Sequence, residues 1–346
     1  MANINNIPIK SVLITSFSMI TDAAMAVPIV YPMCEANPQV SFVLATAKQH
    51  AEIFVNRPAN LIVLGIDLDK YKGITGPMKL ASNLQHRYAF HAVANLHADF
   101  RTTLMSLVLK HKGLMVATVD KISKVKPRDM SKSLPPTVHM RYLDVFRQLG
   151  LKAGDEFKSI FAHGEPPRSA MIPAKDESDR WIAIAPFASH KGKEYPLEQM
   201  QLVIAEMSRW HNCHIFLLGG GKKERDLLDP IMHRYSNVLS LPHIKHGIAD
   251  ELALLARCDV MVTMDSANMH MASLVELPVV SVWGATHPAC GFLGWHQAQR
   301  DTVQLELDCR PCSVFGNKKC RYGDYHCMRD ISPELILEKV KTILDR

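Results

Sequence analysis

A chain of 346 residues is long enough for two domains of ordinary size, each with its own core. With 47% hydrophobic and 21% charged residues, no run of 18 apolar residues and an opening, MANINNIPIKSVLITSF, unlike a signal peptide, the chain reads as a soluble cytoplasmic protein. The net charge of +6 is uneven: 21 Lys+Arg face 12 Asp+Glu up to residue 175, and 19 face 22 after it. The basic half suits an anionic partner (nucleic acid, an anionic lipid surface or a phosphorylated glycolipid) or is simply a solvated basic face.

Residues 11–16 are apolar and read as a strand, followed by a short turn holding Ser18 and a helix from Asp22 to Val30. Strand, loop, helix is the opening unit of a Rossmann-like domain. Asp22 is either the cap of that helix or a carboxylate presented to a ligand. Strand-like runs recur at 40–44, 61–64 and 92–96, separated by segments of helical length, so this half alternates β and α. Asp67-Leu68-Asp69 imitates the Asp-x-Asp that grips metal-bound nucleotide sugars, but three residues in a loop carry little. His97 and Arg101 follow the fourth strand, Arg101 at the start of a helix. Basic residues dominate from Arg101 to Arg147. Lys121 to Arg128 lacks apolar periodicity and reads as a loop able to hold phosphate groups, or as a solvated one. Residues 138–146 read as a helix ending at Gly150. Residues 151–178 are mixed and bear Pro166, Pro167 and Pro173, which marks an interdomain linker.

The second half restarts with a strand at 181–185 and a loop carrying Ser189 and Lys193. A strand at 215–218 closes on Gly219-Gly220-Gly221, with Glu224 opening a helix; such glycines let a nucleotide approach the backbone, and a nearby carboxylate can take ribose hydroxyls. The same triplet also simply makes a tight turn. The densest stretch is 258–288. A buried strand, Val260 to Met264, precedes Asp265-Ser266, which is helix N-cap chemistry ahead of a segment from Ala267 to Glu276 containing His270. Pro278 ends that helix, 279–283 is the next parallel strand, and Gly284-Ala285-Thr286-His287-Pro288 leaves its C-terminal edge. Two loops therefore meet at one edge of a parallel sheet, where α/β proteins bind ligands, and one is a helix N-terminus suited to phosphate. Four of the 8 cysteines, Cys309, Cys312, Cys320 and Cys327, then fall close together. In a cytoplasmic protein this density suggests structural zinc, although the spacing is not a standard one; packed, reduced thiols are the alternative. Residues 332–344 form a last helix.

Several of these stretches resemble glycosyltransferase family 9, the ADP-heptose:lipopolysaccharide heptosyltransferases. Asp265-Ser266-Ala267-x-x-His270 and Gly284-Ala285-Thr286-x-Pro288 resemble the family's Asp-Ser/Thr-Gly-x-x-His and Phe-Gly-Pro-Thr, with Ala267 and Ala285 as departures. Ser189, Lys193 and Pro196 match Ser-x-x-x-Lys-x-Trp-Pro. Asn95-Leu96-His97-x-x-x-Arg101 resembles Asp-Leu-His/Gln-x-x-x-Arg. Ser18 and Asp22 remain from Arg-x-Ser-x-x-Gly-Asp, whose Arg and Gly are lost.

The resemblance implies a GT-B fold: two Rossmann-like domains facing across a cleft, here 1–160 and 179–331, joined by a linker at 161–178 and followed by a C-terminal helix at 332–346. It implies an inverting transfer of heptose from ADP-heptose to the lipopolysaccharide inner core, with Asp22 as base and Ser18, His97, Arg101 and Lys121 on the acceptor side. Ser189, Lys193, Gly220, Glu224, Asp265, Ser266, Ala267, His270 and Thr286 would hold the donor, Lys193 and a helix dipole replacing a metal at the diphosphate. No catalytic cofactor and no nucleic acid is then expected; peripheral contact with the cytoplasmic face of the inner membrane is. A GT-B epimerase, a transferase for another nucleotide sugar, or a non-catalytic nucleotide-sugar-binding protein remain open alternatives, the last because of the lost Arg and Gly.

Overall fold

The computed structural model describes residues 8–120, 135–162, 164–167, 172–244 and 246–346. The chain divides into two compact units, Met1–Lys121 with Val138–Phe157, and Ile122–Thr137 with Lys158–Arg346.

The first unit contains β1 (Ser11–Ser16), α1 (Ile20–Ala36), β2 (Ser41–Ala47), β3 (Leu61–Ile66), α2 (Thr75–Tyr88), β4 (Ala92–Asn95), α3 (Phe100–His111), β5 (Met115–Thr118) and α4 (Val138–Gln148). Its five strands are all parallel in the order β3-β2-β1-β4-β5. Val12, Leu13 and Ile14 of β1 are fully buried, as a central strand covered on both faces must be. The order reverses between β1 and β4, so the loops leaving those two strands diverge and open a crevice. Asp22 lies just beyond β1 and His97 just beyond β4.

The second unit contains β6 (Arg180–Ala185), α5 (Leu197–Met207), β7 (Cys213–Leu217), α6 (Gly221–Met232), β8 (Val238–Ser240), α7 (Ile248–Leu255), β9 (Val260–Met264), α8 (Ala267–Ser273), β10 (Val279–Val282), β11 (Thr302–Val303), α9 (His326–Arg329) and α10 (Pro333–Leu344). The strands are parallel in the order β11-β10-β9-β6-β7-β8, the doubly wound Rossmann arrangement, and here the order reverses between β6 and β9. Helix α10 lays Ile336, Val340 and Ile343 into the core built around Ile182, Ile184 and Val262.

Helix α8 is shorter than the sequence suggests. It ends at Ser273, and Glu276 takes a left-handed φ of 58° before Pro278. The described residues of 151–178 carry no helix or strand. Asp67-Leu68-Asp69 opens a short 3-10 turn: the Asp67 carboxylate accepts from Asp69 N–H at 3.2 Å, and the two acids pair with Lys70 and Lys72. No helix among the described residues is long and apolar enough to cross a membrane.

Candidate functional site

Each sheet gathers polar side chains where its strand order reverses. In the first unit Asp22 occupies the first turn of α1, and its Oδ2 accepts the Met19 N–H at 3.3 Å. Asp22 thus caps its helix, and it lies just beyond β1 beside the crevice. The His97 Nδ1 approaches the same Oδ2 at 3.9 Å, and its Nε2 lies 4.0 Å from Asp99. The buried Tyr142 phenol lies beside Asp22; burial and then the carboxylate charge push it far above its ordinary range.

His97 is held by a buried network. Its N–H donates to Asn95 Oδ1 at 3.1 Å, the same oxygen accepts from Thr15 Oγ1 at 3.2 Å, and the Asn95 amide donates to Ser106 at 3.3 Å. Asn95, where the resembling pattern has Asp, supplies both an acceptor and a donor here. Arg101 is the second residue of α3, beside the capping Asp99, and Ser18 is half-buried in the β1–α1 turn. Lys121 and the basic stretch that follows it, read from the sequence as a loop, lie outside the described residues.

In the second unit three loops converge. Lys193 follows β6, Asp265 follows β9 and Thr286 follows β10. Lys193 Nζ is 2.9 Å from Asp265 Oδ2, with side chains only 13% and 7% exposed, and Thr286 Oγ1 donates to the same oxygen at 2.7 Å. A desolvated ion pair of this kind persists only when geometry and extra hydrogen bonds support it. Ser266 does not cap α8 through its side chain; its hydroxyl shares a 3.2 Å hydrogen bond with Thr263, and Ala267 opens the helix. His270 is buried within α8, whereas Ser189 is exposed in the β6 loop. Glu224 turns back on its own helix, accepting the Gly220 N–H at 2.6 Å.

Two supports of this cluster escaped sequence reasoning. Arg310 donates to the carbonyls of Gly284 and Thr286 and to Gln304 Oε1, fastening the β10 loop. Its charge is itself costly to bury, which lowers the guanidinium's pKa. Gly316 has φ 73°, and a Cβ there would come within 2.6 Å of the Lys193 stem. The only sequence signal was the glycine itself, in a segment whose cysteines drew attention elsewhere.

The structural-zinc expectation finds no support in these cysteines. Among the described residues no three His, Cys, Asp or Glu side chains are grouped as a metal requires. Three of the four thiols have other neighbours: Cys312 Sγ donates to the Cys309 carbonyl at 3.2 Å, Cys309 lies 3.8 Å from His326 Nε2, and Cys320 lies 3.9 Å from Asp324. Burial, and then the neighbouring Cys312, Cys309 and Cys320, raise the Cys327 thiol to about 11, with the nearby Arg310 opposing. The segment instead braces the site, with Cys312 N–H donating to the Ala285 carbonyl at 2.8 Å.

Two Rossmann-like units, with a buried lysine–aspartate pair at the order reversal of the second, define the GT-B class of fold. The chain belongs to glycosyltransferase family 9 (heptosyltransferase), whose model matches residues 78–326, and it is a glycosyltransferase. It is similar to lipooligosaccharide heptosyltransferase 2 of Campylobacter jejuni serotype O:2, 23% identical over 93% of this chain and 95% of that relative. The E. coli heptosyltransferase WaaC solved with ADP is similar in fold, with a TM-score of 0.66 at 13% identity, covering 96% of this chain and 99% of that one. So is E. coli ADP-heptose lps heptosyltransferase II, with a TM-score of 0.67 at 15% identity, covering 96% and 98%.

Proposed function

We propose that this protein transfers heptose from ADP-heptose to a hydroxyl on the lipopolysaccharide inner core, with inversion at the sugar carbon. The observation that carries this reading is the buried convergence of Lys193, Asp265 and Thr286, three residues that match the family signatures. An ammonium has three donors; Asp265 takes one, which leaves two for a diphosphate. As the bond to the sugar breaks, negative charge grows on ADP, and a fixed, poorly solvated cation stabilises that charge more than water would.

In this proposal Asp22 accepts the proton of the attacking hydroxyl while His97 and Tyr142 fix its carboxylate. Ser18 and Arg101 belong to the acceptor side, and Ser189, Gly220, Glu224, Ser266, Ala267 and His270 to the donor side. No cofactor takes part and no nucleic acid is bound. The protein works in the cytoplasm against the inner membrane, where its glycolipid acceptor is embedded.

The deciding experiment incubates purified protein with a panel of nucleotide sugars and extracted core glycolipid, scoring ADP release and product mass. Transfer of heptose to the glycolipid is the expected result. Conversion of the sugar without acceptor would make the protein an epimerase, and tight ADP binding without turnover would make it a non-catalytic binder.

A further inference from the structure

Helices α2 and α3 pack together over the first sheet, burying Leu80, Ala81 and Leu84 from one and Met105 and Leu109 from the other around Leu13, Val43 and Val93. Their outer faces differ from ordinary solvated helix surface in two ways. Large apolar side chains stand in water: Ile74, just before α2, is 63% exposed, Met78 42%, Phe100 65% and Leu107 58%. Scattered singly such residues need no explanation, but four on two adjacent helices form a patch. Neither helix contains an Asp or Glu, yet between them they carry Lys79, Arg87, Arg101 and Lys110, with Lys112 immediately after α3. Solvated helices ordinarily mix both signs. The acids nearby are already engaged: Asp67 and Asp69 pair with Lys70 and Lys72, and Asp99 caps α3 by accepting the Thr102 N–H at 2.7 Å.

Between the two helix starts lies an open depression of about 400 Å³ lined by Gly73, Ile74, Pro77, Asp99, Phe100 and Arg101. Asp99 and Arg101 are the polar side chains of this depression, and further along the two helices Met78 and Leu107 offer a sugar no hydrogen bond. Cations around exposed aliphatic and aromatic side chains instead match phosphate headgroups above acyl chains.

We propose that the α2–α3 face docks the protein on an anionic lipid bilayer, with Ile74, Met78, Phe100 and Leu107 entering the interface and Lys79, Lys110 and Lys112 meeting the headgroups. The inference deepens the reading of a membrane-embedded glycolipid acceptor and rests on it only for its purpose, since docking is measured without catalysis.

The test is co-sedimentation of the full chain with vesicles of phosphatidylcholine alone or mixed with phosphatidylglycerol. Wild type binds the mixed vesicles, binds the neutral ones weakly, and is released by salt. Lys79→Gln with Lys110→Gln weakens binding to the mixed vesicles about 25-fold, from about five-fold per cation near the surface. Met78→Ser with Leu107→Ser weakens binding to both kinds. Both double variants keep the wild-type melting temperature, ADP affinity and transfer to a delipidated core acceptor. Wild type that ignores anionic vesicles, or variants that bind as tightly as wild type, overturn the proposal. So do variants that bind vesicles normally but lose transfer to the soluble acceptor, an outcome that makes the face a sugar site. Vesicle binding with no heptose transfer by wild type upholds the docking face and removes the proposed reaction alone.

Discussion

The Lys193 ammonium and the Asp265 carboxylate meet at 2.9 Å at the point where the second sheet reverses its strand order, shielded from water by the loops that carry them. Removing one partner strands the other in a site that cannot solvate it. Asp265→Asn is expected to cost about 3–5 kcal/mol, a fall of about ten degrees in melting temperature for a unit of this size. Lys193→Met costs a similar amount and also removes the cation assigned to the diphosphate. The double variant Lys193→Met with Asp265→Leu separates the two roles. It is expected to regain stability while ADP affinity, read by calorimetry, stays lost; recovered ADP binding would make the pair purely structural.

Asp22 is tested by a substitution that keeps its cap. In Asp22→Asn the amide oxygen still accepts the Met19 N–H, because Asn caps helices about as well as Asp. The melting temperature and ADP affinity are expected to hold while the transfer rate drops about 10²–10⁴-fold, the usual cost of losing a general base. Normal turnover in a normally folded Asp22→Asn protein would remove Asp22 from the mechanism.

The alternating pattern of short apolar runs and helical segments made both Rossmann-like units legible, because parallel strands buried on two faces leave continuous apolar runs. Lys193, Asp265 and Thr286 were legible as separate loop residues. The meeting of the Asp265 and Thr286 loops at one sheet edge was legible too, but only the resemblance brought Lys193 to them, since that depends on β6 and β9 being neighbours although β7 and β8 lie between them in sequence. The cysteine cluster left zinc and packed thiols open, because closeness in sequence does not say what each thiol meets; Cys312, Cys309 and Cys320 meet a carbonyl, an imidazole and a carboxylate. Arg310 and Gly316 could not be identified beforehand, because their roles lie in the Thr286 carbonyl and the Lys193 stem they reach across the fold.

Gly316 gives a sensitive handle on that arrangement. In Gly316→Ala the new Cβ falls 2.6 Å from Lys193 Cδ and 3.2 Å from Thr286 Cγ2, at a φ that disfavours any side chain. Lys193 cannot swing aside freely, since its Nζ is held by Asp265. The expected result is a loss of about 1–3 kcal/mol in stability, together with a several-fold weaker ADP affinity in calorimetry. Weaker stability with unaltered ADP binding would show that the position of the Lys193 stem does not matter to the donor.

His246 provides a pH-dependent contribution to stability outside these sites. Its Nε2 lies 2.6 Å from Glu251 Oε1 and its Nδ1 lies 2.7 Å from the Ile244 carbonyl. Both partners only accept, so both ring nitrogens donate and the imidazole carries its proton. The hydrogen bond to Glu251 raises the His246 pKa above its ordinary 6.5, with burial opposing and the Ile244 carbonyl assisting. Because the folded value exceeds the unfolded one, the stabilisation is complete below the unfolded pKa and disappears as pH climbs through the folded one. Urea unfolding of wild type and His246→Gln should therefore differ most below the ordinary value of 6.5 and converge as pH rises past the raised folded value, with wild type the more stable. A gap that widens with rising pH would mean that the folded protein holds His246 neutral, and would reverse the assignment of its two hydrogen bonds.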